Sequence, residues 1–578
     1  MKNTDLIGMI RLFNEQNIQY ISGVTQRYFE WDKRNIIQYL QGIQYIDIPQ
    51  KRPYLINSTV TKQMDFNPQF RVISITDGQQ RMTTTYLDIC AICAFAKNNG
   101  IPKNEFDYEA IKQTYLVNPI HEGDDYYYKL LLREEDRPTL KMIVDELPSH
   151  LSSRAGRNKI INAYNRLYDS LTIDNYQERF DKLFYVYALN IIAEENDDEY
   201  LIFNMINSGG KQVGLFTLAK AHSIGKFPLK QQELYDKLYW KKIEKNETFK
   251  HTIIRTFVVY KKGYIESGDA YNLFQKVFNK YNDVEEFHIE LKEYSDTFLD
   301  ILNNSFEDKH IKEVMDGLRL IIPPARYPLL IKLYLKHQKD EITKQELLNS
   351  LELLLNIGLR KYFVSHKAWM SESRNMLENN ISYIDNCEDI CKALYNKLKN
   401  SIITDSEFEN RICTNIFYSP QNKKEFKQEL EVIPNNINKL TKYLLLRIEN
   451  AHFGAGRINP SHFSIEHNCP QKLNKNWAAN FTKEEHHDYV HMLGNLTLLA
   501  KEHNSKAKGA GFKSKKELYI FDKLYLGRTI CSYDDWTPET ILNRTRSLAK
   551  ELCEIFKIPS KELLREYETS QSVLMEGK

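Results

Sequence analysis

The segment Ser464-Ile465-Glu466-His467-Asn468-Cys469-Pro470-Gln471 sets a carboxylate beside an imidazole. Downstream comes His491-Met492-Leu493-Gly494-Asn495-Leu496-Thr497-Leu498-Leu499, and then Asn504 within Glu502-His503-Asn504-Ser505-Lys506. His467, Asn495 and Asn504 in that order, read as strand, long connection, strand and helix, suit the hydrolysis of a phosphodiester. That reaction needs an activated water, and a neutral His is a suitable general base near pH 7. The developing charge needs a hard cation such as Mg²⁺ or Mn²⁺, which takes oxygen ligands. Glu466 supplies a carboxylate and Asn504 an amide carbonyl. Asn495 would bond backbone groups of the loop that carries His467 and so belongs to the catalytic set. A lone Glu-His pair carries no such meaning; the ordered combination does. His486 and His487 read as surface residues and His491 as structural.

Six lysines (Lys501, Lys506, Lys508, Lys513, Lys515 and Lys516) surround the helix expected at Asn504, against one acid, Glu502. A charge run is by default a solvated face. Beside a phosphodiesterase site it becomes a phosphate track, with Lys506, Lys508, Lys513 and Lys515 as the expected DNA contacts. Gly509 and Gly511 interrupt the run and permit close backbone approach.

A second constellation is Thr76-Asp77-Gly78-Gln79-Gln80-Arg81-Met82-Thr83-Thr84-Thr85. The β-branched run Val72 to Ile75 stops at Asp77-Gly78, and an apolar-periodic helix is expected from Gln80 to Ala96. A helix N-terminus offers N–H groups and a positive dipole end to phosphate. Arg81 adds a fork for phosphate oxygens, and Asp77 could hold a cation or orient water. The same residues also make an ordinary turn and helix cap.

The elements that position these residues fall into three stretches. Short β-like runs mix with helices to about Phe227, including apolar segments at Phe184 to Ile192 and Tyr200 to Ile206 before a Ser208-Gly209-Gly210 turn. From Leu229 to about Lys399 the pattern is helical nearly throughout, with Leu347 to Leu359 strongly apolar at helix spacing. From Ser401 a helical Glu429 to Asn450 leads through a Gly/Pro-bearing loop into the polar cluster. The expected fold is α+β, helix-rich and multidomain. The 578 residues are too many for one ordinary domain.

The composition, 42% hydrophobic and 27% charged, is that of a globular chain and excludes a collagen-like or wholly disordered one. The formal charge is only +2, which excludes a uniformly basic DNA-coating protein. It averages unlike segments: five acids and no base lie between Ala193 and Glu199, against the lysines after position 500. No apolar run is long enough to span a membrane, and Met1 to Asp5 lacks a signal-peptide core, so a cytoplasmic location is expected. Eight scattered cysteines form no disulfide framework. Cys90 with Cys93 and Cys387 with Cys391 read as buried thiols on helix faces.

EHxxPQ, LGNLTLL and the Asn nine residues after the middle Asn resemble domain of unknown function 1524. That domain is the HNH endonuclease of GmrSD-type modification-dependent restriction enzymes, and the spacing is also similar to the HNH domain of CRISPR effectors. The resemblance implies a ββα-metal fold, His467 as general base, Glu466 and Asn504 as metal ligands and Asn495 as structural Asn. Asn468 departs from it, standing where the family usually has an apolar residue. DGQQRxTT resembles domain of unknown function 262, the S half of the same enzymes. That domain is ParB/sulfiredoxin-like and associated with nucleoside-triphosphate hydrolysis. Gln26-Arg27 with Trp31 matches its QRxxxW. Phe203 to Lys211 and Leu218-Ala219-Lys220 match its FxxINxxG and LxK. The usual Ile-Pro before QR is absent, with Ile21-Ser22-Gly23-Val24 instead. The nucleotide-binding set implied is Arg27, Asp77, Gly78, Gln79, Gln80, Arg81, Thr83 and Asn207, with Asp77 also catalytic.

The chain is therefore identified as a member of the GmrSD-type enzymes, with three expected parts. Residues 1–227 bind and hydrolyse GTP, ATP, CTP or UTP and help sense DNA. Residues 228–400 form an all-helical linker, and 401–578 the HNH nuclease. Expected partners are modified or phage DNA, a nucleoside triphosphate, no membrane, and a homodimer mate or a companion protein of a modification system. The rivals are a nucleotide-regulated DNA sensor with an inactive nuclease, and an HNH enzyme acting on RNA. No aromatic-rich RNA platform is evident for the latter.

Overall fold

The computed structural model describes residues 3–67, 69–122, 125–152, 158–193, 214–225, 227–263, 270–387, 389–418, 436–454 and 458–557. By its contacts the chain forms two compact units, residues 1–251 with 274–284, and residues 252–273 with 285–578. No described helix is long and apolar enough to cross a membrane.

The first unit is built on a mixed six-stranded sheet. Its strands are β1 (Asn3–Gly8), β2 (Ile18–Ile21), β3 (Tyr54–Asn67), β4 (Phe70–Asp77), β5 (Leu130–Leu131) and β6 (Val186–Ala193), in the order β1-β6-β3-β4-β2-β5. β3 is antiparallel to β4 and parallel to β6, and β2 lies parallel to β4. The β-branched run at Val72 to Ile75 thus becomes an interior strand, as its side chains favour.

Helix α1 (Lys33–Gln44) begins at a capping box made by Asp32 and Asn35. α2 (Gln79–Asn98) leaves the end of β4 through Gly78, whose φ of +90° admits glycine and strains other residues. Nearly every α2 residue from Gln79 to Ala96 is buried; Arg81 is the exception. A helix buried on all faces needs cover on all sides. α3 (Lys159–Asp169) and α4 (Tyr176–Leu183) supply part of it, within one core that includes Phe13, Tyr86, Ile89 and Leu167. Cys90 and Cys93 are buried in that core and unpaired, and burial pushes their thiols up. α5 (Leu215–Ile224) carries the Leu218-Ala219-Lys220 stretch.

Among its described residues the second unit is helical apart from two strands and the connecting turns. α6 (Lys309–Ile321), α7 (Lys344–Val364), α8 (Ile437–Phe453) and α12 (Pro538–Ile555) form its helical body. α7 contains the apolar Leu347 to Leu359 stretch, buried except at the half-buried Leu348, Asn349 and Glu352. Strands β7 (Phe463–His467) and β8 (Leu496–Ala500) pair antiparallel, with Glu466 opposite Thr497 and His467 opposite Leu496. α9 (Lys483–Tyr489) lies in their connection; α10 (Lys501–Ala507) and α11 (Phe512–Asp522) follow β8. Behind them Trp477, Phe481, Leu499, Tyr519, Trp536 and Ile541 share a core.

Two expectations are corrected in detail. Cys387 is not on a helix face. It follows a 3₁₀ turn with extended backbone and donates its Sγ–H to the Tyr383 carbonyl at 3.1 Å. LGNLTLL is not a strand throughout: Leu493–Asn495 is a 3₁₀ turn and only Leu496 onward is extended. The turn exists because α12 presses on it. Gly494 N–H donates to Thr545 Oγ1 at 3.0 Å, and Arg544 Nη1 donates to the carbonyls of Gly494 (2.6 Å) and Leu496 (2.8 Å). A methyl on Gly494 would overlap the Ile541 carbonyl and stand 2.8 Å from Thr545 N. Gly494→Ala is therefore expected to destabilise this unit by about 3 kcal/mol, read as a lower urea midpoint.

Candidate functional site

In the first unit the two N-terminal motifs meet. Gln80 Oε1 accepts from the backbone N–H of Glu30 (2.7 Å) and Trp31 (3.3 Å), while its Nε2 donates to the Tyr28 carbonyl at 3.1 Å and to Gln79 Oε1 at 3.2 Å. Gln26 Nε2 donates to the Thr76 carbonyl at 2.8 Å. The QRxxxW segment therefore lies across the start of α2, and the Gln80 amide is committed to holding it there. Arg133 anchors the same segment from the other side, stacked over the Tyr28 ring at 4.1 Å and donating to the Gln26 carbonyl at 2.8 Å.

Arg133 is itself held in a buried ionic cluster. It pairs with Asp236 (3.4 Å) and Glu244 (3.2 Å), and Lys220 pairs with the same two carboxylates at 2.5 and 3.1 Å. The LxK lysine is thus a structural cation. Burial pushes its ammonium down, and the two carboxylates oppose that shift. Spacing alone gave no sign that Arg133 belongs beside the QR segment.

At the start of α2 three buried polar atoms have no hydrogen-bond partner: Asp77 Oδ2, Gln79 Nε2 and Thr83 Oγ1. Gln79 and Thr83 are one turn apart and share a helix face. Asp77 Oδ2 stands 3.5 Å from the Arg81 guanidinium, an ion pair without a hydrogen bond. Buried polar groups are nearly always satisfied, so three orphans at one helix N-terminus fit a bound polar ligand. Arg81 also donates to the Ser58 carbonyl and faces a cleft of 480 Å³ lined with Trp31, Tyr54 and Asn57. Arg27 is exposed. Asn207 lies outside the described residues.

In the second unit Glu466, His467 and Asn504 line one cleft of 740 Å³, together with Gln471, Lys472, Lys501, Lys508 and Lys515. Asn495 explains how. Its side chain is wholly buried and makes four hydrogen bonds. Oδ1 accepts from Cys469 N (2.7 Å) and Trp536 Nε1 (3.0 Å), and Nδ2 donates to the carbonyls of Cys469 and Val490, each at 2.8 Å. The chain after His467 is thereby pinned to the turn before β8. Asn504 Nδ2 donates to Ser464 Oγ (2.8 Å) and the Ile465 carbonyl (3.1 Å), which docks α10 on β7. A carbonyl partner requires the amide nitrogen, so the Asn504 oxygen is the end left for a cation.

His467 is buried, its ring edge-on to Tyr418 at 4.5 Å. Its Nε2 lies 3.2 Å from His491 Nδ1, and Gln471 Nε2 lies 3.4 Å from its Nδ1. Burial, reinforced by His491, Lys515 and His486, holds the imidazole well below its ordinary range and keeps it neutral at pH 7. His491 is held down to about 4, by burial first and then by His486 and His487. His486 is not a plain surface residue: it is half-buried, with Nε2 2.8 Å from the Pro470 carbonyl. Asn468 is buried beyond the end of β7, where its Oδ1 accepts the Tyr519 hydroxyl at 3.0 Å.

Of the four expected phosphate lysines, Lys508 lines the cleft, and Lys506 and Lys513 are exposed outside its lining. Lys515 departs from the expectation. It is buried, ion-paired to Glu466 and donating to the His467 carbonyl at 2.7 Å, because Gly511 and the first turn of α11 aim it inward. Lys472 and Lys501 take its place at the cleft rim. Burial pushes the Glu466 carboxyl up, and Lys515 opposes the shift. Among the described residues no three His, Cys, Asp or Glu side chains cluster as a metal site. One carboxylate and one amide oxygen, with water, still fit a hard divalent cation.

A model of the N-terminal domain of GmrSD restriction endonucleases matches residues 9–224, and a model of their C-terminal domain matches residues 419–551. The first covers strands β2 to β6 with the start of α2, and the second covers Glu466, His467 and Asn504. The two spans together take in more than half of the chain. No curated protein matches it. The chain belongs to the GmrSD family of modification-dependent, nucleoside-triphosphate-gated HNH-type restriction endonucleases.

Proposed function

We propose that the Glu466 cleft is the DNA-cutting site and the start of α2 the triphosphate site of this enzyme. The observation that carries the reading is the convergence of Glu466, His467 and Asn504 on one cleft with a basic rim. β7, β8 and α10 are read as the ββα-metal unit, and the N-terminal sheet as ParB/sulfiredoxin-like. In this reading residues 1–227 sense and hydrolyse, 228–400 couple, and 401–578 cut.

His467 takes a proton from the attacking water. The tautomer with Nε2–H donating to His491 leaves the Nδ1 lone pair as the base, beside the Gln471 amide. Depression of the imidazole pKa keeps that lone pair available at neutral pH. Glu466 and Asn504 hold a divalent cation, which when bound supplies charge stabilisation at the scissile phosphate. Asn495 keeps the His467 loop in register, and Lys472, Lys501 and Lys508 draw the DNA backbone to the rim.

In the first unit Asp77, Gln79 and Thr83 offer their unpartnered atoms to the phosphates and their counter-ion, and Arg81 offers its guanidinium. Gln80 positions the QR segment instead of touching nucleotide, and Arg27 projects as a second phosphate contact. The ligand is modified or phage DNA, and the compartment is the cytoplasm.

The test is nicking of supercoiled plasmid or phage DNA in Mg²⁺ with a nucleoside triphosphate. Wild type is expected to cut, and Glu466→Gln to lose roughly 100-fold or more. Equal cutting by Glu466→Gln would remove this carboxylate from the reaction. RNA offered in the same assay is expected to survive.

A further inference from the structure

Lys515 is the one member of the basic run that is wholly buried, and its ammonium contacts the carboxylate assigned to the cation. Its position is built by the fold. Lys515 N–H donates to the Gly511 carbonyl at 3.1 Å in the first turn of α11, and the side chain passes under Trp477, with Nζ 6.0 Å from that ring. The ammonium finds two acceptors, Glu466 Oε1 and the His467 carbonyl. One oxygen of Glu466 is thus taken by the protein, while the residue itself lines the cleft. A lysine so deep beside a carboxylate cannot steer DNA. It fixes the carboxylate rotamer, and it sets an ammonium against whatever cation shares that carboxylate.

We propose that Lys515 is a positioning residue for the cation site: it is the resident counter-charge of Glu466, fixes the direction of its carboxylate, and weakens divalent-ion binding by repulsion. This rests on the reading of Glu466 as a metal ligand. Two effects oppose each other. Fixing one Glu side chain favours the ion by the small entropy of a few rotamers. A monovalent and a divalent cation on one buried carboxylate repel across a short distance in a medium less polar than water. The repulsion is the larger, so Lys515 keeps the site loosely loaded.

The experiment uses the full chain without DNA or nucleotide and follows Mn²⁺ binding by the electron paramagnetic resonance of the free ion. Lys515→Met is expected to bind Mn²⁺ roughly tenfold or more tightly than wild type. It should also melt at a lower temperature without metal and show a larger Mn²⁺-induced rise in Tm. Lys515→Gln keeps a donor for Glu466 without the charge and serves where the Met variant fails to fold; it too must bind more tightly. Equal or weaker Mn²⁺ binding by the folded variant overturns the proposal, provided Glu466→Gln abolishes binding. If Glu466→Gln binds Mn²⁺ as wild type does, the reading of Glu466 as a ligand fails instead, and this proposal falls with it.

Discussion

Asp77→Ala is expected to reduce nucleoside-triphosphate hydrolysis roughly 100-fold or more while leaving the first unit folded. The carboxylate sits where β4 hands over to α2, beside the positive end of a 20-residue helix. Its Oδ2 is buried and without a hydrogen bond, so little native structure depends on it. The helix does not use it as a cap, since Gly78 is the N-cap and gives no side-chain bond. Asp77 is ion-paired with Arg81, whose guanidinium is also tied to the Ser58 carbonyl. Removing Asp77 therefore deletes a group that the proposed function gives to the nucleotide. Phosphate release by Asp77→Ala and Asp77→Asn, set beside their melting curves, separates the two roles. A large loss of Tm would mark Asp77 as structural.

The second large effect is His467→Ala, expected to lower DNA cleavage roughly 10²–10⁴-fold, the range for loss of a general base. Its neighbours argue for chemistry over packing. The ring is buried, yet among the described residues its Nδ1 hydrogen-bonds only Gln471, at 3.4 Å, a weak contact for a histidine at the wall of a cleft. The backbone around it is held independently by Asn495, whose four hydrogen bonds do not involve the imidazole. Triphosphate hydrolysis in the same preparation is expected to be unchanged. Loss of both activities would point to a folding role for His467.

Much of the fold was legible because it rests on local signals. The β-branched run before Asp77-Gly78 and the long apolar helix after it became β4 and α2, and the strand, strand, helix order near the C-terminus became β7, β8 and α10. Glu466, His467 and Asn504 were singled out because hydrolytic chemistry dictates residue types, and the fold brings them to one cleft. What escaped depends on distant contacts. Lys515 reads as one of six lysines, and only the packing of α11 under Glu466 turns it inward. Gln80 looks like a ligand residue until residues 28–31 are found to occupy both ends of its amide. His491 reads as a structural residue and lies against His467, because Asn495 pulls its loop towards Cys469. The turn at Leu493–Asn495 is imposed by Arg544 and Thr545, some 50 residues away.

In the proposed function two separate sites in one chain divide hydrolysis of the triphosphate from cutting of DNA. The most direct measurement assays both activities for wild type, Asp77→Ala and His467→Ala, on modified and unmodified phage DNA, with Mg²⁺, with and without each triphosphate. The prediction is a crossed pattern. His467→Ala hydrolyses triphosphate and does not cut, and Asp77→Ala fails to hydrolyse and loses the triphosphate dependence of cutting. DNA cleavage by His467→Ala at the wild-type rate would contradict it.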